Sequence, residues 1–280
     1  MKRWRKWIGI AFIMPSLIGM LIFYFIPFIV SLTYCFTSGI NQKKFVGLTN
    51  FKQLFENANY RLALKNTLYI TGVALPLLCV MAIVGAFFIE KALAKRKWLQ
   101  GTLLMPMAVP AASLMLLWQD LFSQKGLVSY LLGIQVDWLH SDVAPWIVIG
   151  MIVWKNLGYN ILMMMSSLLM MPKEYEEAAL LDGANGRRIA LHIKLPYLMP
   201  MLFFVFLISL LNCFKIFREV YLLQGNYPET NLYLLQHFMN NHFAKLNYEL
   251  LSTAAFTLYS VIFLVILVLA KCQHRYQNTW

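Results

Sequence analysis

Charged residues are scarce in this 280-residue chain, and their scarcity excludes an ordinary soluble globular protein. They make up 13% of the sequence, whereas hydrophobic residues make up 60%. Soluble domains carry about a quarter charged residues on average. The mean hydropathy is +0.62, so much of the surface needs lipid as its solvent. The composition therefore predicts a membrane protein.

Several patterns that carry chemistry are absent as well. The sequence contains no GxxxxGK(S/T) loop to hold nucleotide phosphates, no HExxH or GxSxG pattern, and no paired carboxylates inside its apolar stretches. Its four cysteines form no CxxC pair, which supports neither a metal site nor a disulfide framework. We therefore predict a chain that is not an enzyme and that binds no cofactor or metal itself.

Six stretches are long and apolar enough to cross a membrane, since a helical span needs roughly 20 apolar residues and pairs its backbone groups internally. Five of them carry no charge, and the fourth carries only Lys155. They cover residues 7–34, 66–89, 98–119, 143–171, 195–214 and 250–270. We predict an all-α, polytopic membrane protein whose residues 1–280 form a single transmembrane domain.

Basic residues predict how these spans are oriented. Lys and Arg are dense at both termini and in the connections at 91–97 and 172–194, and they are sparser in the longer alternate connections. Because short cytoplasmic loops carry an excess of Lys and Arg, we expect both termini and the 172–194 loop to lie in the cytoplasm. The formal net charge of +12 then lies at the membrane edges, where it attracts anionic lipid headgroups rather than nucleic acid.

The 172–194 loop has the pattern of a short helix outside the membrane. Pro172 is tolerated in a first helical turn, and three glutamates follow where the helix dipole favours negative charge. Asp182 and Gly183 predict the end of the helix, because glycine adopts the left-handed conformation of a helix C-terminus. These residues alone leave two interpretations open, a helix that docks into another protein and a helix that only connects two spans.

The same loop resembles a known motif. Residues 177–196 read EAALLDGANGRRIALHIKLP, with EAA at 177–179, Gly183, and I-x-L-P at 193–196 after nine intervening residues. This pattern resembles the EAA motif of permease subunits in ATP-binding-cassette (ABC) importers. In that family the loop is the coupling helix, which docks into a groove of the ATP-hydrolysing subunit. The resemblance implies this role for Glu177, Ala178, Ala179, Asp182 and Gly183.

Other segments extend the resemblance over nearly the whole chain. FVGLTNFKQLF at 45–55, ALKNTL at 63–68 and WKNLGYN at 154–160 are similar to carbohydrate-type permeases of the maltose and glycerol-phosphate importers. One departure is LQGNYPET at 223–230, where family members often carry a TGGP-like turn. The resemblance implies a type I ABC importer permease fold with six transmembrane helices and a cytoplasmic coupling helix, in the cytoplasmic membrane of a prokaryote.

The resemblance also implies a function and partners. The chain would be the permease subunit of a binding-protein-dependent importer that translocates a sugar or oligosaccharide. The expected partners are a second, homologous permease, two copies of an ATP-binding subunit, an extracellular solute-binding protein and membrane lipid. ATP and Mg²⁺ would be used by the ATP-binding subunits. Peptide, polyol and uronate-type solutes stay open.

Polar residues inside the spans are candidates for the solute pathway, since such residues are costly in lipid unless they face a cavity or each other. Aromatic rings stack on the apolar faces of sugars, while a few placed polar groups bond to sugar hydroxyls. The candidates are Trp154, Asn156, Tyr159, Asn160 and Asn212. The alternative is that these side chains only bridge neighbouring helices.

Charged residues inside the spans help to decide between an importer subunit and an ion-coupled transporter. Lys155 either contacts an anionic solute or has a structural role, in which it extends toward the membrane edge or pairs with a carboxylate such as Asp120, and we favour the structural role. Acidic residues expected outside the membrane, including Glu219, are expected to be solvated. The alternative function is an ion-coupled secondary transporter or channel that acts without an ATPase. Such a protein needs intramembrane acids or broken-helix ion sites, and the predicted spans supply only Lys155.

Overall fold

A computed structural model describes residues 12–39, 44–93 and 98–277 of the chain. Within these residues almost every regular element is a helix. The exception is a short antiparallel pair, β1 (Thr37–Ser38) and β2 (Lys44–Phe45), in which Thr37 lies opposite Phe45. The all-α class predicted from the sequence is confirmed.

The helices of the described residues follow one another with short connections. They are α1 Phe12–Phe36, α2 Thr49–Glu56, α3 Ala58–Leu93, α4 Trp98–Ala108, α5 Ala111–Phe122, α6 Leu127–Leu132, α7 Ala144–Leu169, α8 Lys173–Leu181, α9 Gly186–Ile189, α10 Leu195–Lys215, α11 Phe217–Gln224, α12 Leu235–Ala244 and α13 Tyr248–Gln277. Two π-helical turns occur, Leu21–Phe25 inside α1 and Ala190–Lys194 between α9 and α10.

Within the part of the chain that the structure describes, five helical stretches are long and apolar enough to cross a membrane, or six if one bent pair counts as a span. Several extend beyond the predicted apolar bounds, because helical hydrogen bonds continue through polar residues. The second begins at Ala58 rather than at residue 66, and the fifth begins at Gly186, inside the predicted 172–194 loop. Residues 7–11 of the first predicted span lie outside the described residues.

The structure corrects the third predicted span, 98–119, which is not one continuous helix. The chain bends by 91° between Gln100–Ala108 and Ala111–Leu132. The break falls at Val109 and Pro110, where Pro110 has an extended ψ of 139°. Proline has no backbone N–H and disfavours a helical conformation in the residue before it. Apolar composition predicted the length of this segment but not the loss of its backbone hydrogen bonds.

The described chain divides into two compact units, and the first holds α1, α2 and the residues up to Arg61 together with Phe238–Phe263. In this unit the Asn50 side-chain amide donates to the backbone carbonyls of Tyr34 (3.1 Å), Cys35 (3.2 Å) and Thr37 (3.0 Å). Carbonyls at the end of a helix have no intrahelical partner. Asn50, from the FVGLTNFKQLF segment, therefore caps the end of α1.

The second unit, Leu62–His237 with the described residues from Leu264 onward, is built around α7. Of the candidate spans, α7 is the most buried, with 56% of its apolar window buried. Both α4 and α10 pack along it. Gly158 permits the contact with α4, since an added Cβ would lie 1.9 Å from the carbonyl oxygen of Leu103. Small residues let helix backbones approach closely in this way.

The second unit also fixes the segment between α11 and α12. The Asn66 amide donates to the carbonyls of Thr230 (2.6 Å) and Tyr233 (3.0 Å), and the Thr67 hydroxyl accepts from the N–H of Leu235 at 2.9 Å. Asn66 and Thr67 belong to the ALKNTL segment of the sequence resemblance. Their physical role is to satisfy backbone groups that no helix or strand pairs.

His237 lies in the first turn of α12, just after this segment, and is fully buried. Its Nδ1 accepts from the N–H of Leu234 at 3.1 Å, and its ring centre lies 4.7 Å from that of Phe217. Because burial disfavours the charged imidazolium, it lowers the pKa of His237 from 6.5 to about 4. His237 is therefore neutral in the folded protein near neutral pH.

The close contact at Gly158 predicts a site-specific loss of stability. Gly158→Ala is expected to destabilise the protein by about 2 kcal/mol, because overpacking forces helices apart. Gly150 on the same helix is the matched control, since an added Cβ there meets nothing within 4 Å. Thermal unfolding in detergent measures both variants. Equal midpoints for Gly158→Ala and Gly150→Ala would contradict the close approach of α4 and α7.

Burial of His237 predicts a pH dependence of stability. Its folded-state pKa of about 4 lies below the unfolded value of 6.5, so its contribution to stability is complete above pH 6.5. As the pH falls toward 4, only the unfolded chain binds the proton, and the free energy of unfolding decreases by about 1 kcal/mol per pH unit. Unfolding between pH 7.5 and 5 measures the slope. His237→Gln should flatten this slope, and a slope equal to that of the wild type would exclude His237 as its source.

Candidate functional site

Helix α8 forms as its sequence predicts. It runs from Lys173 to Leu181 after Pro172, and Gly183 follows with a φ of +76°. The Gly183 N–H donates to the Leu180 carbonyl (3.0 Å), and the Ala184 N–H donates to the Ala179 carbonyl (2.9 Å). This pair of bonds is the Schellman motif, which ends a helix on a left-handed glycine. The predicted short helix outside the long apolar stretches is confirmed.

The side chains of α8 are mostly exposed. None of its residues is buried, and Leu181 and Leu180 are 90% and 60% exposed. Of the predicted coupling residues, Glu177, Ala178, Asp182 and Gly183 are exposed and Ala179 is half-buried. Exposed apolar side chains rimmed by charges mark protein interaction surfaces. The structure thus brings all five predicted coupling residues onto one exposed helix and its terminal turn.

A cavity of about 740 Å³ lies behind α8, between this helix and the ends of α7 and α10. Tyr175 and Ala178 line it from α8, Met170 lines it from the end of α7, and Tyr197 and Met201 line it from α10. Its volume lies in the range of small-molecule pockets. The cavity therefore separates α8 from parts of α7, which precedes it in the chain, and of α10, which comes after it.

The three asparagines predicted for the solute pathway lie at the contact between α7 and α10. The Asn212 amide donates to the Asn156 side-chain oxygen at 2.9 Å, and the Asn160 amide donates to the Ser209 hydroxyl at 2.8 Å. Asn156 also donates to the Ile152 carbonyl of its own helix at 2.8 Å. These bonds bridge two helices, which is the alternative that the sequence left open. Solute contact by these asparagines stays a prediction.

The two predicted aromatic residues do not join the asparagines. Trp154 is 43% exposed, and its ring meets that of Trp118 edge to face with centres 6.1 Å apart. Trp118 in turn stacks on Phe122 at 5.2 Å. Tyr159 is half-buried. Trp118 and Phe122 were missed by sequence reasoning, although Trp118 lies inside the predicted span 98–119 and Phe122 follows it by three residues.

Lys155 has a different partner from the one expected. Its Nζ donates to Oε1 of Glu219 on α11 rather than to Asp120. Glu219 was expected to be solvated, yet its side chain is only 4% exposed. A buried charge needs a counter-charge and hydrogen bonds, which explains why the carboxylate is drawn inside. No short spacing connects these residues, since they lie 64 positions apart.

Comparison with known proteins gives a family and relatives. Residues 80–279 match the family of binding-protein-dependent transport system inner membrane components. The probable ABC transporter permease protein YesP of Bacillus subtilis is 31% identical over 280 residues, which cover 94% of this chain and 89% of YesP. The sn-glycerol-3-phosphate transport system permease protein UgpA of Salmonella typhi is 29% identical over 218 residues, which cover 75% of this chain and 74% of UgpA.

Solved structures with the same fold also exist. A chain of a bacterial ABC transporter involved in the import of the acidic polysaccharide alginate matches with a TM-score of 0.85 and 23% identity, covering 98% of this chain and 99% of that chain. A chain of the alginate transporter in complex with a pentasaccharide-bound periplasmic protein matches with a TM-score of 0.84 and 22% identity, covering 97% and 95%. The importer permease fold predicted from the EAA motif is confirmed.

The Lys155–Glu219 pair predicts a large asymmetry between single and double variants. Lys155→Met leaves a buried carboxylate unpaired and is expected to destabilise the protein by about 3 kcal/mol. The double variant Lys155→Met with Glu219→Gln removes both charges and should recover most of this loss. Thermal unfolding of the purified protein measures the wild type, Lys155→Met, Glu219→Gln and the double variant. Additive effects of the two changes would contradict a direct ion pair.

Proposed function

We propose that this chain, which belongs to the family of binding-protein-dependent transport system inner membrane components, translocates a sugar or oligosaccharide. Family membership makes it a membrane-spanning transport subunit of the ABC permease kind. The observation that carries the proposed mechanism is α8, whose apolar side chains are exposed outside the long apolar helices. Hydrolysis of ATP with Mg²⁺ then belongs to separate subunits.

In the proposed assembly α8 is the coupling helix. Leu180 and Leu181 supply the apolar contact with an ATP-binding subunit, since burying them removes exposed hydrocarbon from water. The small side chains of Ala178 and Ala179 allow a groove to close around the helix, and Glu177 supplies a polar contact at its edge. Two copies of the ATP-binding subunit act, one on this chain and one on a second, homologous permease.

The proposed orientation follows from the distribution of basic residues. Lys and Arg are dense at both termini and in the connections at 91–97 and 172–194, which supports a cytoplasmic position for all of them. The proposal therefore places the chain in the cytoplasmic membrane of a prokaryote with α8 inside. An extracellular solute-binding protein delivers the solute to the opposite face. Membrane lipid surrounds the apolar helices.

The proposed solute class is supported by polar atoms inside the second unit. Trp118 Nε1, Asn160 Oδ1 and Glu219 Oε2 are buried and have no hydrogen-bond partner among the described residues. One donor and two acceptors suit the hydroxyl groups of a sugar, and the rings of Trp118 and Trp154 suit its apolar faces. Because Glu219 balances the charge of Lys155, this region does not require an anionic solute.

One relative supports a carbohydrate-related solute by its name. UgpA is the permease of an sn-glycerol-3-phosphate transport system, and glycerol phosphate carries hydroxyl groups as sugars do. We propose that Trp154, Asn156, Tyr159, Asn160 and Asn212 contact the solute when the helices around α7 open. In this structure Asn212 bonds to Asn156, and Asn160 bonds to Ser209, across α7 and α10.

A single substitution at the exposed end of α8 tests the proposal. Leu181→Glu should abolish the apolar contact while leaving the fold intact, because Leu181 is 90% exposed. We expect about a tenfold fall in ATP hydrolysis stimulated by solute-loaded binding protein, equivalent to about 1.4 kcal/mol of lost docking energy. The measurement uses the complete complex reconstituted in lipid, together with the amount of ATP-binding subunit that co-purifies.

The matched control is Leu131→Glu, at a leucine that is 71% exposed on α6. It introduces the same charge at an exposed leucine of a different helix and should leave co-purification of the ATP-binding subunit unchanged. Wild-type stimulation and co-purification in Leu181→Glu would contradict the coupling role. Solute uptake that persists without any ATP-binding subunit would instead favour an ion-coupled transporter.

A further inference from the structure

Lys194 joins three elements that lie far apart in the sequence. Its Nζ lies 3.0 and 2.7 Å from the two carboxylate oxygens of Glu90, near the end of α3, and 3.0 Å from Oε1 of Glu176 in α8. Lys194 itself is the last residue of the π-helical turn that leads into α10. One ammonium group therefore bridges α3, α8 and the start of α10.

Burial distinguishes this ion triad, Lys194 with Glu90 and Glu176, from an ordinary surface ion pair. The side chains are 12%, 18% and 34% exposed, respectively. Fully exposed pairs contribute little because water and salt screen them, whereas the Lys194–Glu90 contact is largely shielded from both. Two carboxylates share a single cation, so the loss of Lys194 would leave two negative charges close together in a partly dry place.

Helix α8 has little buried surface to fix its position. None of its residues is buried, and the cavity of about 740 Å³ lies between it and parts of α7 and α10. Packing therefore resists tilting of α8 only weakly, since a cavity offers few atoms to push against. The ion triad spans this arrangement and connects α8 directly to α3 and to the beginning of α10.

We propose that Lys194 is a positioning residue that makes α8, the end of α3 and the start of α10 move as one body. A force applied to α8 then reaches two membrane-spanning helices instead of tilting α8 into the cavity. Coupling between separate sites requires a contiguous set of physical contacts of this kind. The inference rests on the proposed docking of α8 to an ATP-binding subunit, and it adds the contact that carries the motion into the membrane.

A charge exchange in the complete, reconstituted complex tests this role. Lys194→Glu brings three carboxylates together and is expected to lower the ratio of stimulated to basal ATP hydrolysis about fivefold or more. Adding Glu176→Lys to the same chain again places one ammonium between two carboxylates and should restore most of the ratio. Glu90→Gln is a milder variant, because glutamine has nearly the same size and Lys194 still pairs with the carboxylate of Glu176. The expected loss of the ratio is about twofold.

The matched control is Lys271→Glu, at an exposed lysine near the end of α13, which should leave the ratio unchanged. The ratio is measured per assembled complex by quantifying the bound ATP-binding subunit. A role limited to folding would reduce the amount of complex without changing the ratio per complex, and that result would overturn the inference. Failure of the double exchange to recover any of the lost ratio would overturn it as well.

The Leu181→Glu variant separates two kinds of failure. If Leu181→Glu lowers stimulation and Lys194→Glu does not, α8 docks as proposed and only the role of Lys194 is wrong. If Leu181→Glu has no effect while Lys194→Glu has one, docking by α8 is wrong and Lys194 does not act through it, so the inference fails with the proposed function. A loss in both variants, with recovery in the double exchange, supports both proposals.

Discussion

Polar side chains that these helices carry into hydrocarbon are stabilised by partners within the protein, because lipid offers none. This constraint accounts for the side chains on α7. Lys155 is neutralised by a carboxylate from α11, and Asn156 and Asn160 are tied to α10 through Asn212 and Ser209. The same bonds that satisfy these groups also fix which helices surround α7.

Helix α8 lies outside the long apolar helices, so its polar groups do not face the same constraint. Water can satisfy most of its charges, Glu176 excepted, and none of its residues is buried. What water does not explain is the exposure of Leu180 and Leu181, because apolar surface is stabilised by removal from water. In the proposed assembly a second protein surface covers both leucines, and the chain belongs to a family of binding-protein-dependent transport components.

The contrast between the helices packed around α7 and the exposed helix α8 has a mechanical consequence. Force that enters through α8 must cross from an element with no buried residue to helices that are packed together. The contact best placed for this transfer in the described residues is the shared ammonium of Lys194, which is mostly buried and touches carboxylates on both sides. Position, rather than chemistry on a solute, is therefore its proposed role.

Local signals in the sequence predicted the elements whose causes are local. Pro172 and the pair Asp182-Gly183 predicted both ends of α8, since proline and glycine act through their own backbone conformations. Val109-Pro110 was an equally local signal for the break in the third span, and counting apolar residues overlooked it. Glu219 lies 64 positions from Lys155, and Glu90 lies 104 positions from Lys194. Their pairing depends on how the helices pack, and the spacing of residues along the sequence does not predict it.

The most direct test of the coupling role is a photo-cross-linking amino acid at position 181, introduced into the complex in its native membrane. The account predicts a cross-link to the ATP-binding subunit, because Leu181 is the most exposed apolar side chain of α8. The same probe at position 131 of α6 should not yield that product. A probe at position 181 that labels lipid or only its own chain would contradict the central claim that α8 docks to the ATP-hydrolysing subunit.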